Sequence, residues 1–181
     1  MRYVALLRAI NVGGHVVKMD RLRTLFEELG FTGVRTFIAS GNVLFDARSA
    51  KPAALENRIE RHLEDALGYA VATFLRTPAE LSAVAAHAPF PLDHFDASSR
   101  FSIGFLKSSL SSAHRRTLGD FSSPQDAFHA NGREVYCLSR TRASESPVSG
   151  AVLERAFGMP ATFRNVTTVR KLAVLAHGAR T

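Results

Sequence analysis

The chain has 181 residues, a formal net charge of +7 and a hydrophobic content of 46%. A chain of this size and composition can bury a substantial apolar core, which excludes a generally disordered protein, and no apolar run approaches the roughly 18 residues of a membrane-spanning helix. The single cysteine, Cys137, excludes an internal disulfide and a multi-cysteine metal site and fits a reducing compartment, so we expect a cytoplasmic protein.

The first part of the chain predicts the element order β-α-β-β-α-β. Strands are predicted at 2–10, 34–40, 43–45 and 71–75, and helices at 20–29 and 52–67. Asp20 can cap the first of these helices, and Gly30 sits where its C-terminal cap belongs. Gly41 and Asn42 can supply the positive φ of a tight turn between the second and third strands.

The same order recurs later in the chain. After a helical stretch near 78–87 and a proline-rich, acidic loop with Asp93 and Asp96, strands are predicted at 100–106, 127–130, 134–138 and 161–163. Helices are predicted at 111–118, 148–157 and 166–176, the last with its apolar residues on one face.

The order β-α-β-β-α-β is that of the ferredoxin-like plait, in which two helices cover one face of a four-stranded antiparallel sheet. The sequence therefore predicts an α+β protein with two tandem ferredoxin-like plaits and an extra C-terminal helix. The predicted boundaries are 1–77 for the first plait, 78–99 for a helical linker and loop, and 100–181 for the second plait with the C-terminal helix.

Three blocks of sequence resemble the signature of one bacterial family. They are LLRAINVGG at 6–14, SGNV at 40–43 and RNVTTVRKL at 164–172. The chain is therefore similar to the family catalogued as domain of unknown function 1697. The resemblance implies a tandem ferredoxin-like fold and implies no activity, cofactor or partner. The chain departs from the usual blocks where Ala9 replaces a common Gly, and where Phe163 and Val166 replace a common Thr and Trp.

One candidate binding site lies at the end of the first predicted strand. Strands one and two of a split βαβ unit run parallel, so the end of the first strand, the start of the first helix and the turn after the second strand meet at one end of the sheet. These positions hold Asn11, Gly13, Gly14, Lys18, Asp20, Ser40, Gly41 and Asn42. Free N–H groups near a helix N-terminus can hold an anion, and Lys18 adds positive charge. Tight turns that bind nothing explain the same glycines and asparagines, and Asp20 would repel an anion.

Basic residues elsewhere extend this candidate site. Arg8 shares a predicted strand face with apolar side chains, so it requires a partner, either a carboxylate of the fold or a ligand. Arg164 and Asn165 precede the last predicted helix and Lys171 lies on it, where they can hold a phosphate. Helix capping by Asn165 or Thr167 accounts for the polar residues equally well.

Three common catalytic and metal-binding motifs are missing from the sequence. It contains no G-x-S-x-G, H-E-x-x-H or C-x-x-C pattern, and its seven histidines lack the spacing of metal ligands. We therefore predict no metal site, and no residue pattern indicates a cofactor. Cys137 lies in a predicted strand, where a cysteine packs as a small hydrophobe.

Three functions remain open from the sequence. The first is a binding module for a phosphate-bearing ligand, whether a nucleotide, a sugar phosphate or a nucleic acid, at the Gly-Gly loop and the Arg164-Asn165 block; the excess of basic residues at 140–181 favours it. The second is an enzyme that acts on a small metabolite in the same place and uses His15 or Asp20 for proton transfer. The third is a structural or interaction protein that associates with itself or a partner. We expect no membrane partner.

Overall fold

The computed structural model of the protein describes residues 1–48, 51–91, 99–140 and 148–178. The chain divides into two compact units. Unit 1 consists of Met1–Ser82 together with Lys171–Thr181, and unit 2 consists of Ala83–Arg170.

Unit 1 contains the first four-stranded sheet. Its elements are β1 (Arg2–Leu7), α1 (Met19–Glu28), β2 (Thr32–Thr36), β3 (Asn42–Asp46), α2 (Pro52–Leu67) and β4 (Thr73–Arg76). The strand order is β2-β3-β1-β4, and every neighbouring pair is antiparallel. Because β1 and β2 both run antiparallel to β3, they run parallel to each other, with α1 as the crossover.

Unit 2 repeats this topology. Its elements are β5 (Arg100–Leu106), α4 (Ser112–Asp120), β6 (Asp126–Asn131), β7 (Glu134–Ser139), α5 (Gly150–Phe157) and β8 (Ala161–Asn165). The sheet has the order β6-β7-β5-β8 with antiparallel neighbours. Two further helices, α3 (Pro78–Ala86) and α6 (Val166–His177), contain the points at which the chain passes from one unit to the other. The predicted α+β class with tandem ferredoxin-like units is confirmed.

The first strand is shorter than the sequence predicts. The Leu7 N–H donates to the Gly41 carbonyl and the Arg8 N–H donates to the Ala72 carbonyl, both at 2.8 Å, and the chain then turns at Ala9, whose φ is +65°. Arg8 is exposed. The prediction that it lies among apolar side chains on a strand face is therefore wrong.

The predicted cap of α1 is wrong, and the predicted turn is confirmed at Gly41 but wrong at Asn42. Lys18 is the N-cap residue of α1, and Asp20 lies in the first turn. In the turn before β3, positive φ occurs at Ile38 and Gly41, whereas Asn42 already belongs to the strand. The predicted cap of α6 is confirmed, because Asn165 Oδ1 accepts a hydrogen bond from the Thr167 N–H at 2.8 Å.

The apolar core of unit 2 determines where a cavity can form. One face of its sheet packs against α4 and α5 through Leu106, Leu118, Val135, Leu153 and Phe157. Strand alternation therefore places Ser102 and Gly104 on the same face as Leu106, and Cys137 on the same face as Val135. Ser102 and Cys137 have short side chains and line a cavity beside α5.

The predicted linker at 78–99 is described only in part. Residues 92–98, with Asp93 and Asp96, lie outside the described residues, and the domain boundaries 1–77 and 100–181 stay predictions. Of the helices in the described ranges, none combines the length and the apolar character needed to cross a membrane.

Candidate functional site

Two loops of unit 1 meet at one end of its sheet. The Asn11 side chain joins the first loop (residues 8–18) to the hairpin turn (residues 37–41). Its Nδ2 donates to the Val17 carbonyl at 3.1 Å and to the Ala39 carbonyl at 2.9 Å, and its Oδ1 accepts from the Val17 N–H at 2.7 Å. One side chain thus fixes the backbone of both loops.

The backbone of these loops is strained at particular positions. In the described part of the chain, the non-glycine residues with positive φ are Ala9 at 65°, Asn11 at 54° and Ile38 at 49°. Asparagine tolerates this region, whereas alanine and especially a β-branched isoleucine do not. Gly13 and Gly14 have φ of 61° and 88°, and a Cβ at either would meet no atom within 4 Å. Glycine is required at both positions by the positive φ and not by contact with neighbouring atoms.

The φ of Ala9, 65°, is one that glycine adopts with less strain than alanine. We expect Ala9→Gly to raise the free energy of unfolding of unit 1 by about 0.5–1 kcal/mol, because relief of left-handed strain outweighs the greater freedom of glycine in the unfolded chain. Denaturant titration of both proteins measures the difference. Ala39→Gly is the matched control in the neighbouring loop, where φ is not positive, and it should not stabilise. Equal effects of the two substitutions would contradict the strain at Ala9.

The remaining predicted site residues of unit 1 fall into two groups. Ser40, Gly41 and Asn42 hold the turn itself: Asn42 Nδ2 donates to Ser40 Oγ at 2.9 Å, and a Cβ on Gly41 would lie 2.9 Å from Ile10 Cβ. Arg8 and Lys18 are exposed. Binding of a ligand by these residues stays a prediction.

The two candidate proton-transfer groups already have neighbours in unit 1. Asp20 forms an ion pair with Arg23 at 3.5 Å on the surface of α1. The exposed His15 ring stacks on the Tyr69 ring with centroids 3.7 Å apart, and burial raises the pKa of Tyr69.

The predicted C-terminal block is divided between the units. Arg164 in β8 is 8% exposed, and its Nη1 donates to Thr162 Oγ1 at 2.8 Å and to the Phe163 carbonyl at 2.9 Å. Burial lowers the pKa of Arg164 to about 10, so the guanidinium stays charged at neutral pH. Lys171 is exposed on α6 and belongs to unit 1.

A cavity of about 410 Å³ lies within unit 2, beside the N-terminus of α5. We call it the sheet cavity. Arg164 and Asn165 are among its lining residues; others are Arg100, Ser102, Asp126, Phe128, Cys137 and Phe163. Of the predicted site residues, these two therefore border a concave space large enough for a small molecule.

The sheet cavity contains a buried carboxylate but no reactive thiol. Asp126 is 2% exposed. Burial, and secondarily the negative charge of Asp126, raise the pKa of Cys137 to about 12, although a hydrogen bond with Ser102 acts in the opposite direction. The thiol is protonated at neutral pH, so Cys137 is not a nucleophile in this environment.

Two glycines position an aromatic wall of the sheet cavity. A Cβ on Gly104 would lie 2.5 Å from Phe163 Cε1, and a Cβ on Gly150 would lie 2.9 Å from Phe163 Cε2. The Phe163 ring therefore occupies the space that side chains at both positions would need. Gly104 lies directly opposite Phe163 in the β5–β8 pair, so the ring covers the strand at that point.

Sequence reasoning missed Asp126, Ser102 and Arg100 as site residues. The signal was present in the alternation of β5, where Phe101, Ile103 and Phe105 occupy one face and Arg100, Ser102 and Gly104 the other. Of these, the polar Arg100 and Ser102 line the sheet cavity, whereas the space above Gly104 is occupied by the Phe163 ring. Recognising this signal also requires knowing which strands lie beside β5.

A second, smaller cavity of about 350 Å³ lies near the start of α6 in unit 2, bordered by Phe90, Asn165, Thr167 and Arg170. No group of three or more His, Cys, Asp or Glu side chains is arranged to hold a metal ion in the part of the chain that the structure describes.

Comparison with known proteins identifies the family. The model of the family described as "Protein of unknown function (DUF1697)" matches residues 1–136, which contain the first two signature blocks. The solved structure of a conserved bacterial protein from Streptococcus pneumoniae is similar to this chain, with a TM-score of 0.74 and 22% identity over 97% of this chain and 98% of that one. At that identity the likeness shows the fold alone. No curated protein matches. Because the family model covers well over half of its residues, the chain belongs to the DUF1697 family.

Proposed function

We propose that the chain is a cytoplasmic binding module for a small phosphate-bearing ligand and that the sheet cavity of unit 2 holds this ligand. The observation that carries the proposal is the cavity itself, which has a volume of about 410 Å³ and is lined by both apolar and polar residues. Ligand sites are commonly concave, mostly apolar and supplied with a few convergent polar groups.

Arg100 is the residue best suited to the phosphate. It is exposed and lines the sheet cavity, and within the described ranges its guanidinium has no hydrogen-bond or ion-pair partner. Guanidinium groups bind phosphate with two parallel hydrogen bonds. The N-terminus of α5 also borders the cavity through Ser149 and Gly150, and its partial positive charge favours an anion there.

The catalytic alternative has less support from the cavity. A strongly perturbed pKa in a pocket is the expected sign of an acid, base or nucleophile. Among the lining residues, the pKa of Cys137 is raised, which makes its thiol less reactive, and the pKa of Arg164 is lowered only to about 10, which leaves its guanidinium charged at neutral pH. Binding without chemistry is the simpler function for this site.

Calorimetric titration tests the proposal. We expect adenosine monophosphate, glucose 6-phosphate or inorganic phosphate to bind, and Arg100→Gln to weaken that binding at least about tenfold, since a charge-assisted hydrogen bond contributes roughly 1.5–3 kcal/mol. Arg116→Gln is the control, because Arg116 is an exposed arginine of the neighbouring helix α4.

A third variant tests the location of the site. Lys18→Gln should leave phosphate binding unchanged if the sheet cavity is the site. Loss of binding in Lys18→Gln with retention in Arg100→Gln would move the site to the first loop of unit 1. Absence of binding by all three phosphate compounds would refute the proposed function.

A further inference from the structure

The smaller cavity of unit 2 has the same kinds of lining residue as the sheet cavity. We call it the α6 cavity, because it lies near the start of α6, and its volume is about 350 Å³. Aromatic side chains line both cavities, and each cavity is bordered by an exposed arginine, Arg100 for the sheet cavity and Arg170 for the α6 cavity. Within the described ranges, the Arg170 guanidinium has no hydrogen-bond or ion-pair partner. The groups that suit a phosphate and an aromatic ring therefore occur twice in unit 2.

The two cavities meet at the edge of the sheet where β8 ends. Phe101 and Asn165 line both of them. Asn165 is the last residue of β8 and lies directly opposite Ser102 on β5, so the β5–β8 pairing stops before Phe101. Neighbouring residues of a strand project to opposite faces: Ser102 lines the sheet cavity, and the Phe101 ring lies beside the rings of Phe90 and Tyr136. One ligand that passes around the end of β8 can therefore reach both cavities.

Two phenyl rings form a wall of the α6 cavity. The centroids of the Phe90 and Phe101 rings are 5.7 Å apart and their planes cross at 73°, and Phe90 is only half-buried. This edge-to-face arrangement leaves ring faces that the other phenyl group does not cover. Nucleic-acid bases stack on such aromatic side chains, because every base has a flat π-face.

The charge of the α6 cavity favours an anion. Of the described residues that line it, none is acidic, and Arg170 is positive. A phosphate at Arg170 therefore gains a charge-assisted hydrogen bond without facing a carboxylate among these residues. Asn165 Oδ1 already accepts a hydrogen bond from the Thr167 N–H, so Asn165 contributes to the wall and Arg170 to the binding of the anion.

From these features we infer that unit 2 binds a dinucleotide, with one nucleotide in the sheet cavity and the other in the α6 cavity. Arg100 binds one phosphate and Arg170 binds the other. One base packs against Phe128 in the sheet cavity, and the second stacks on the wall formed by Phe90 and Phe101. The inference rests on the proposed function and names its ligand class. Two linked groups in neighbouring sites bind more tightly than either group alone, because the first holds the second at a high effective concentration.

Three ligands test the inference on the unmodified protein by calorimetric titration. We expect a 5′-phosphorylated adenosine dinucleotide to bind at least about tenfold more tightly than adenosine monophosphate. It should also bind at least about fivefold more tightly than adenosine 3′,5′-bisphosphate, which carries both phosphates but one base, because the second base adds a stacking contact. Equal affinity for the dinucleotide and either of the other compounds would overturn the inference without refuting phosphate binding. Absence of binding by all three would refute the proposed function itself.

Arg170→Gln assigns the second nucleotide to the α6 cavity. We expect this variant to bind the dinucleotide at least about tenfold more weakly, because a charge-assisted hydrogen bond is lost, and to bind adenosine monophosphate as the wild type does. Arg100→Gln should weaken the binding of both ligands. Arg155→Gln is the control, because Arg155 is an exposed arginine of α5 that lines neither cavity, and it should retain both affinities. Arg170 is exposed, so its substitution leaves the core of unit 2 intact, and unchanged dinucleotide binding in Arg170→Gln would overturn the inference.

Discussion

Replacing Gly104 with alanine is expected to lower the free energy of unfolding of unit 2 by about 3 kcal/mol. The added Cβ would lie 2.5 Å from Phe163 Cε1 and 2.9 Å from Phe163 Cζ, which is closer than non-bonded carbon atoms can approach. Both residues lie in paired strands, so neither backbone can move away without breaking the ladder. Overpacking of this kind typically costs about 1–3 kcal/mol, and this position is near the upper end because Gly104 is buried.

Denaturant unfolding with circular dichroism measures the loss, and two further variants show its cause. Gly119→Ala in α4 adds the same methyl group where no atom lies within 4 Å, so it should stabilise by about 0.5–1 kcal/mol. Phe163→Leu removes the ring atoms that clash, so the Gly104→Ala, Phe163→Leu double variant should be more stable than the sum of the single effects predicts. Strict additivity would show that the ring contact is not the source of the loss.

The element order of this chain was predictable because its apolar residues follow local periods. The helical spacing of Leu22, Leu25 and Phe26 predicts α1, and all three are buried. The Asn131-Gly132 turn predicts the β6–β7 hairpin, which the structure confirms with Gly132 at a φ of 57°. Each of these signals is contained within a few neighbouring residues.

Features that depend on distant residues were not predictable. Ala9 and Ile10 continue the apolar pattern of the first strand, but the strand ends at Leu7 and the chain turns at Ala9, whose φ is positive. The sheet cavity likewise depends on register: Asp126, Ser139 and Arg100 form one row only because β7 lies between β6 and β5. Local patterns carry no information about such neighbours.

The Asn11 side chain provides the second large effect. We expect Asn11→Ala to lower the free energy of unfolding of unit 1 by about 3 kcal/mol. The substitution removes three hydrogen bonds, two from Nδ2 and one to Oδ1, and leaves backbone groups of Val17 and Ala39 without these partners. It also places alanine at a φ of +54°, which adds about 1 kcal/mol of strain.

A glycine variant separates the two contributions. Asn11→Gly removes the same hydrogen bonds but adopts the positive φ without strain, so it should be more stable than Asn11→Ala by about 1 kcal/mol and still less stable than the wild type. Asn57→Ala, an exposed substitution on α2, controls for the loss of an asparagine and should not destabilise. Hydrogen exchange locates the effect, because the Val17 N–H should lose protection in both Asn11 variants. If unfolding of the Asn11 variants matched the control, the two loops would be held by their own backbone and not by this side chain.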